Sequence, residues 1–389
     1  MVMAGKHFMG KTPFHHVYFT GLVRDKQGRK MSKSLGNFPD TFKIIEKYGT
    51  DALRFSLINQ LVTGGDIKWD EASCDIGKTF ANKLWNASRY LVMASEAVGV
   101  DPSRVSVDEL QWNQSDPALA WILTEYKQTL RRSFKAIDEY EFAEYSKASY
   151  EFVWMRLCDW FVELIKPRIQ GEAASTPEAR ATVTVALQVL EGSLRLLHPL
   201  MPYVTEEIWQ RMGRGTRDGR TIGLERLVEP PAASTSDEAA LAEMDVVRSV
   251  ITGVRRIRGD FSIHPGETLQ VIVDAPEIRL ARFVTVLEAL SKVKVNFASQ
   301  KPSRAISLAA GELKYFVILP DTVDVDGKRA EMAKRLERIH ANIRNVEGKL
   351  GSESFTQGAP AHVVEGARAQ LAQNLLDKGL LEETLAALG

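Results

Sequence analysis

Phe80-Ala81-Asn82-Lys83-Leu84-Trp85-Asn86-Ala87-Ser88-Arg89-Tyr90-Leu91-Val92-Met93-Ala94-Ser95-Glu96-Ala97-Val98 decides the architecture of this chain. Phe80, Leu84, Ala87, Leu91, Ala94 and Val98 recur at spacings of four and three. That spacing predicts one buried stripe on an amphipathic helix of about five turns. Asn82, Asn86, Arg89 and Met93 fall on the opposite side, with Tyr90 on its flank. Downstream, residues 118–140 and 142–166 have the same period and many aromatics. Val183, Leu187, Leu190, Leu194 and Leu197 form another stripe, ended by His198-Pro199. Pro202 then precedes Thr205-Glu206-Glu207-Ile208-Trp209, a helix start with acids in its first turn. Four or five such helices with short connections predict a bundle.

The flanks read differently. In the first 79 residues, Val17 to Thr20 and Gly21 to Val23 predict a strand running into a turn. A helix follows over Asp51 to Leu57, stopped by Gly64-Gly65-Asp66. Residues 210–237 are rich in Gly, Pro, Ser and Thr and form a break. Beyond it a helix near 238–258, a strand at Leu269 to Val273, a helix near 278–290, and strands at Lys294 to Phe297, Ala305 to Leu308 and Tyr315 to Leu319 predict a small α/β unit. Finally, Met332, Leu336, Ile339, Ile343, Val346 and Leu350 alternate by four and three. After a break from Gly351 to Pro360, Val364, Ala367, Leu371, Leu381, Leu385 and Leu388 fit a second heptad register, interrupted by Asn374 and Lys378. Two heptad helices and a short loop predict an antiparallel coiled-coil hairpin. The expected fold class is therefore multidomain and mainly α, with segments at 1–79, 80–230, 231–325 and 326–389.

Composition narrows the function classes. The 389 residues are 44% apolar and 26% charged with zero formal net charge, which excludes global disorder and a uniformly basic nucleic-acid coat. No apolar run approaches the roughly 18 residues of a membrane span, and the N-terminus lacks a signal-peptide pattern. Cys74 and Cys158 are the two cysteines. They make neither a disulfide framework nor a Cys-rich zinc site, so no metal centre is expected and a reducing, cytoplasmic setting fits.

The chemistry concentrates at Gly28-Arg29-Lys30-Met31-Ser32-Lys33-Ser34-Leu35-Gly36-Asn37. Alternating ammonium and hydroxyl groups with glycines nearby suit a loop that closes on a polyphosphate; a merely solvated basic loop is the plain alternative. This stretch resembles the KMSKS loop of class I aminoacyl-tRNA synthetases. Tyr48-Gly49-Thr50-Asp51-Ala52-Leu53-Arg54 resembles the sequence that follows this loop in the valine, isoleucine and leucine subgroup. Phe80 to Ala87 resembles the opening helix of the valine type's anticodon-binding bundle, and His198-Pro199-Leu200-Met201-Pro202-Tyr203-Val204-Thr205-Glu206-Glu207-Ile208-Trp209 a later part of it. The closing heptads are similar to the C-terminal arm of that type. The resemblance runs along essentially the whole chain, in order. The terminal coiled coil, and the lack of a terminal cysteine cluster, favour valine over an isoleucyl or leucyl type.

The resemblance implies ATP as a substrate, with Mg2+ in the full enzyme and no tightly bound cofactor. It implies adenylation of valine and then transfer to tRNA-Val. Lys30 and Lys33 would stabilise charge developing on the departing pyrophosphate. Lys30, Ser32, Lys33 and Ser34 would line the nucleotide, Ser32, Ser34 and Asn37 shaping the loop, with Met31 anchored beneath. Asn82, Asn86, Arg89 and Tyr90 would read anticodon bases by hydrogen bonding and stacking; a plain solvent-facing helix side is the alternative. Trp121, Phe134, Phe152, Trp154, Trp160 and Phe161 are expected in the core. His198 is expected to be structural, and Asp66 to serve a turn or an interdomain contact. Lys334, Arg335, Arg338 and Arg344 lie on a first arm helix that is net basic. They would track the RNA backbone, the alternative being charge pairing within the hairpin. A monomer is expected. No HxGH sequence accompanies the loop; His15-His16 has no glycine between. The chain thus resembles roughly the C-terminal half of such an enzyme, and by itself is expected not to activate valine. A stand-alone tRNA-binding module and a protein-binding helical scaffold remain as other readings.

Overall fold

The computed structural model describes residues 1–61, 65–215, 219–274, 283–300, 302–352 and 361–388. The chain forms two compact units, Met1–Leu241 and Ala242–Gly389.

In the first unit, α1 (Val2–Met9) buries no side chain. Strand β1 is only Val23–Arg24, paired in parallel with β2 (Ile67–Lys68) in the register Val23↔Ile67 and Arg24↔Lys68. The strand expected over Val17 to Thr20 is absent, and Val17 and Phe19 are exposed. β-propensity needs a partner strand to become a ladder, and β2 reaches only as far as Val23. Asp66 sets where pairing begins: its carboxylate accepts from the Leu22 N–H at 2.8 Å and from Arg24 Nε. Next come α2 (Thr41–Tyr48), capped by the Asp40 carboxylate, and α3 (Thr50–Ile58). The helix over Asp51 to Leu57 is therefore present, but it stops at Ile58, ahead of the glycines. Ile44, Ala52, Ile67, Trp69 and Cys74 make a small core, and Met31 packs against it.

The bundle opens with α4 (Cys74–Val98), which starts a turn and a half before Phe80 because Asp70 caps the preceding 3-10 turn. Phe80, Leu84, Leu91, Ala94 and Val98 are buried as the spacing predicts. Asp116 caps α5 (Pro117–Asp138), and Pro117 occupies its first turn, where no N–H is needed. α6 (Phe142–Glu151) continues through a π-helical stretch, Phe152–Phe161, into α7 (Val162–Ile169). α8 (Pro177–Leu197) is the central helix, buried almost all round. It carries the fully buried Glu191, which accepts from the Val107 N–H, Arg195 Nε and Trp209 Nε1 at 3.0, 2.7 and 3.3 Å. A buried carboxylate is tolerable because each of these donors compensates lost water. α9 (Pro202–Arg211) follows the His198-Pro199 corner. The break ends at α10 (Thr235–Asp260), where Asp237 accepts from Lys127 Nζ at 2.5 Å, both side chains buried.

The second unit holds a four-stranded mixed sheet of order β4-β3-β6-β5. β3 (Leu269–Asp274) pairs in parallel with β4 (Val293–Phe297) and antiparallel with β6 (Leu313–Ile318); β5 (Ala305–Ala310) is antiparallel to β6. α11 (Val284–Ser291) precedes β4; the expected helix at 278–282 lies outside the described residues. Tyr315 approaches Gly253 of α10 so closely that a Cβ there would sit 2.0 Å from its hydroxyl. α12 (Val325–Leu350) packs against α13 (Ala361–Leu388). The α12 stripe is buried at Met332, Ile339, Ile343 and Val346 and half-buried at Leu336 and Leu350.

One close approach joins the loop region to the bundle. A Cβ on Gly77 of α4 would lie 2.8 Å from Cα and 2.9 Å from the carbonyl oxygen of Ala52 in α3. These are backbone atoms and cannot swing aside. Overpacking of this kind costs roughly 1–3 kcal/mol. Gly77→Val should therefore lower the melting temperature of the first unit by several degrees, at about 2–4 °C per kcal/mol for a unit of this size. Calorimetry would check it, and a melting temperature equal to the parent's would mean the helices can part without cost.

Candidate nucleic-acid interface

The lysine loop is a hydrogen-bonded structure centred on Asp25 and Asn37. Asp25 accepts from the Gln27 and Arg29 N–H groups at 3.0 and 2.8 Å, from Arg29 Nε at 2.7 Å and from Asn37 Nδ2 at 3.0 Å. Asn37 in turn accepts from the Ser32 N–H at 2.9 Å and donates to the Lys30 carbonyl at 3.2 Å. Ser32 Oγ meets Ser34 Oγ at 3.1 Å and accepts from the Leu35 N–H. Gly28 and Gly36 turn the chain at φ of 77° and 65°, where a side chain would be strained. Lys30 and Lys33 project from this frame, exposed and without a carboxylate partner among the described residues. Both lysines thus extend from a braced loop and remain available to an anion.

The two stretches flanking the bundle corner are bonded to each other. Asp51 accepts from the Tyr203 and Val204 N–H groups at 3.1 and 2.6 Å, at the start of α9. Arg54 Nη2 donates to the Pro199 carbonyl at 2.8 Å. Burial pushes the Asp51 carboxyl above its usual range, against the pull of those two N–H groups. His198 Nδ1 lies 2.8 Å from Thr205 Oγ1, and burial lowers its pKa. Asp66, described above, acts as a strand clamp.

On α4, Asn82, Asn86, Arg89 and Met93 are exposed together. Tyr90 is half-buried, its hydroxyl accepting from Gln170 Nε2 at 3.1 Å, with Lys166 Nζ 5.3 Å from its ring centroid. Between α4 and the α6–α7 helix runs a groove of about 490 Å3, lined by Asn82, Lys83, Asn86, Tyr90, Trp154 and Lys166 among others. Trp121, Phe152 and Phe161 are buried as expected, but Phe134, Trp154 and Trp160 are not fully so. The expectation of a core role fails most clearly for Trp154, whose ring lines this groove. No local signal sets it apart: Cys158 and Val162, four and eight residues on, are buried core residues, so an α-helical period places Trp154 with them. The Cys158 thiol is pushed up to about 12 by burial.

On α12, Lys334, Arg335, Arg338 and Arg344 are all exposed. Lys334, Arg338 and Arg344 have no ion pair among the described residues. Arg335 instead lines a small pocket with Arg256, Asp260 and Asp377. The four cations belong to the second compact unit.

A family described as class I tRNA synthetases (I, L, M and V) matches residues 1–70, the anticodon-binding domain of tRNA ligase matches 120–273, and the valyl tRNA synthetase tRNA-binding arm matches 324–389. The valine–tRNA ligase of Syntrophotalea carbinolica is 36% identical over 400 residues, covering all of this chain and 43% of that protein. Those of Brucella suis and Chlorobaculum tepidum are 36% and 32% identical, over 96% of this chain and 40% and 42% of their own lengths. The chain belongs to the valyl-tRNA synthetase family. It spans less than half the length of these relatives. Within the family frame, the anticodon-binding match begins at residue 120, so it takes in Trp154 and Lys166 and leaves out α4.

The Asp25 cluster has a pH signature. The Asn37 hydrogen bond above all, with the several interactions of Arg29, holds the carboxyl down to about 2 from a usual 3.8, against the opposing effect of burial. A lowered pKa means stabilisation that is complete above the unfolded value and lost as pH falls through the folded one. The loop should therefore keep its hydrogen bonds at pH 5 and release them between about pH 4 and 2. In Asn37→Ala the Asp25 carboxyl should move back towards its usual range and the Ser32 amide should exchange faster. Carboxyl NMR titration with amide exchange reads both; an unmoved Asp25 would assign the shift to Arg29 instead.

Proposed function

We propose that this chain supplies the lysine loop and the tRNA-recognising surfaces of an ATP-dependent valine–tRNA ligase, working on ATP, valine and tRNA-Val in the cytoplasm as a monomer. The single observation that carries the reading is the ordered run of three family matches with Lys30 and Lys33 left unpaired on a braced loop. Four functional segments are assigned on this basis: the loop region at 1–79, the bundle at 80–230, the junction at 231–325 and a coiled-coil arm at 326–389.

In adenylate formation a carboxylate of valine attacks the α-phosphorus of ATP and pyrophosphate departs. Negative charge grows on the leaving group late in that step. Two preorganised ammonium groups that meet it only then lower the barrier without tightening ground-state binding. Ser32 and Ser34 keep the loop's shape beside them. No cluster of acids or histidines fit to hold a metal occurs among the described residues; Mg2+ is assigned to arrive with the nucleotide. In the complete ligase, Lys33→Ala should slow single-turnover adenylate formation by a factor on the order of 10²–10³ with little change in ATP affinity. An unchanged rate with a raised KM for ATP would make Lys33 a ground-state binder.

The tRNA surfaces differ in chemistry. Asn82, Asn86, Arg89 and Tyr90 are assigned to anticodon bases; Lys334, Arg335, Arg338 and Arg344 to phosphates. Filter binding of tRNA-Val and an anticodon-swapped tRNA at several salt concentrations separates them. Arg89→Ala with Tyr90→Ala should erase the preference for the valine anticodon and leave most of the salt slope. Replacing the four arm cations by Ala should weaken both RNAs alike and flatten the slope by roughly three units. Equal affinity of the parent chain for both RNAs would overturn the anticodon assignment, and an unchanged slope in the arm variant would overturn the arm assignment.

A further inference from the structure

Trp154 stands out among the groove residues because the fold spends so much on presenting it. It sits on a π-helical stretch of ten residues inside an otherwise α-helical run. π-helical turns are rare and cluster at functional sites. The indole is stacked on Tyr150, with ring centroids 5.6 Å apart and planes at 25°. Lys83 Nζ lies 3.7 Å from the indole centroid and is ion-paired with Asp159 of the same π-helical stretch. Asn82 and Asn86, exposed on the neighbouring turns of α4, bring amide donors and acceptors to the groove.

A groove with an aromatic face, amides able to pair with a base edge and an ion-paired lysine over the indole fits a single unstacked nucleotide. A flat π-face accepts any base, the amides discriminate among base edges, and the cation answers the phosphate. We propose that Trp154 and Lys83 form a base-capture pair: one unstacked base of the bound RNA stacks on Trp154, and Lys83 leaves the indole and Asp159 for that nucleotide's phosphate. The proposal rests on the anticodon reading above and adds to it the residues that hold the base. Lys83 covers the indole in the free protein, so an aromatic surface is not left bare to water. Its release to phosphate makes capture depend on a nucleotide rather than on any flat apolar molecule.

The test is titration of the full chain with an anticodon stem-loop of tRNA-Val, and with its anticodon-swapped partner, at several salt concentrations. Tryptophan fluorescence and filter binding are read together. Trp154→Ala should weaken the valine stem-loop about ten-fold with the salt slope kept, stacking being replaceable by Trp154→Phe. Lys83→Met should lower the slope by a little under one unit. The fluorescence change on binding should shrink in Trp154→Phe. If Trp154→Ala melts early, Trp154→Phe and Lys83→Met decide. Parent-like affinity in Trp154→Ala, or an unchanged slope in Lys83→Met with an unaltered fluorescence change in Trp154→Phe, overturns the pair while anticodon preference in the parent chain leaves the broader reading standing. A parent chain blind to the anticodon removes that reading, and this proposal with it.

Discussion

Asp51 is the group on which the arrangement of the first unit depends. Its carboxylate receives two N–H groups from the first turn of α9, while its own helix packs on α4 through the bare backbone at Gly77. The first N–H groups of a helix have no partner within it, and α9 begins at Pro202 with no capping side chain of its own. Asp51 supplies from another helix what the local sequence lacks. Arg54, one turn further along α3, closes on the Pro199 carbonyl. Together they set a short helix beneath the lysine loop against the corner of a bundle 150 residues away in sequence. A capping carboxylate contributes on the order of 1 kcal/mol. Its greater effect is geometric, since each contact ends on helix or corner backbone: the Tyr203 and Val204 N–H groups for Asp51 and the Pro199 carbonyl for Arg54.

That geometry reaches the loop by a second route. Met31 sits in the same small core as Ala52 and Cys74, so the middle of the lysine loop is tied to the helices that Asp51 and Gly77 hold. Asp25 and Asn37 then fix the shoulders. The acid that braces the loop is fully occupied by Arg29, Asn37 and backbone N–H groups, and it leaves Lys30 and Lys33 unneutralised. A carboxylate placed one turn nearer would have paired with them and cancelled the field that an anion would meet. The loop's architecture thus separates the charge that shapes it from the charges it presents.

The helices were the legible part, because a 3.6-residue period survives in any environment that buries one face. α4, α5, α8 and α12 fall where their stripes place them. The strand at Val17 to Thr20 failed because an apolar run records propensity and not partnership; β1 starts where β2 can reach it. The lysine loop and the exposed face of α4 were legible as residue types, yet not how they are held. No local pattern announces that Asp25 is braced by a residue twelve positions on, or that Asp51 caps a helix near residue 203. Trp154 was misread for a related reason. An aromatic among aromatics looks like core, and the π-helical turn that rotates it towards α4 has no marker in a period calculated for α-helices.

The same distinction separates the two cationic surfaces. On α12, Lys334, Arg338 and Arg344 stand in water, where each charge is screened within about 8–10 Å and can sense only the density of phosphates. Around Trp154 the cations are part of a half-enclosed wall: Lys83 lies on an indole, and Lys166 near the Tyr90 ring while paired with Glu163. A ligand there must displace a specific contact and replace it with another of the same kind. Burial burns off the long-range part of the attraction and leaves shape and hydrogen-bond pattern to decide. An exposed basic helix therefore suits holding any RNA backbone, and a groove whose charges are already engaged suits telling one base from another.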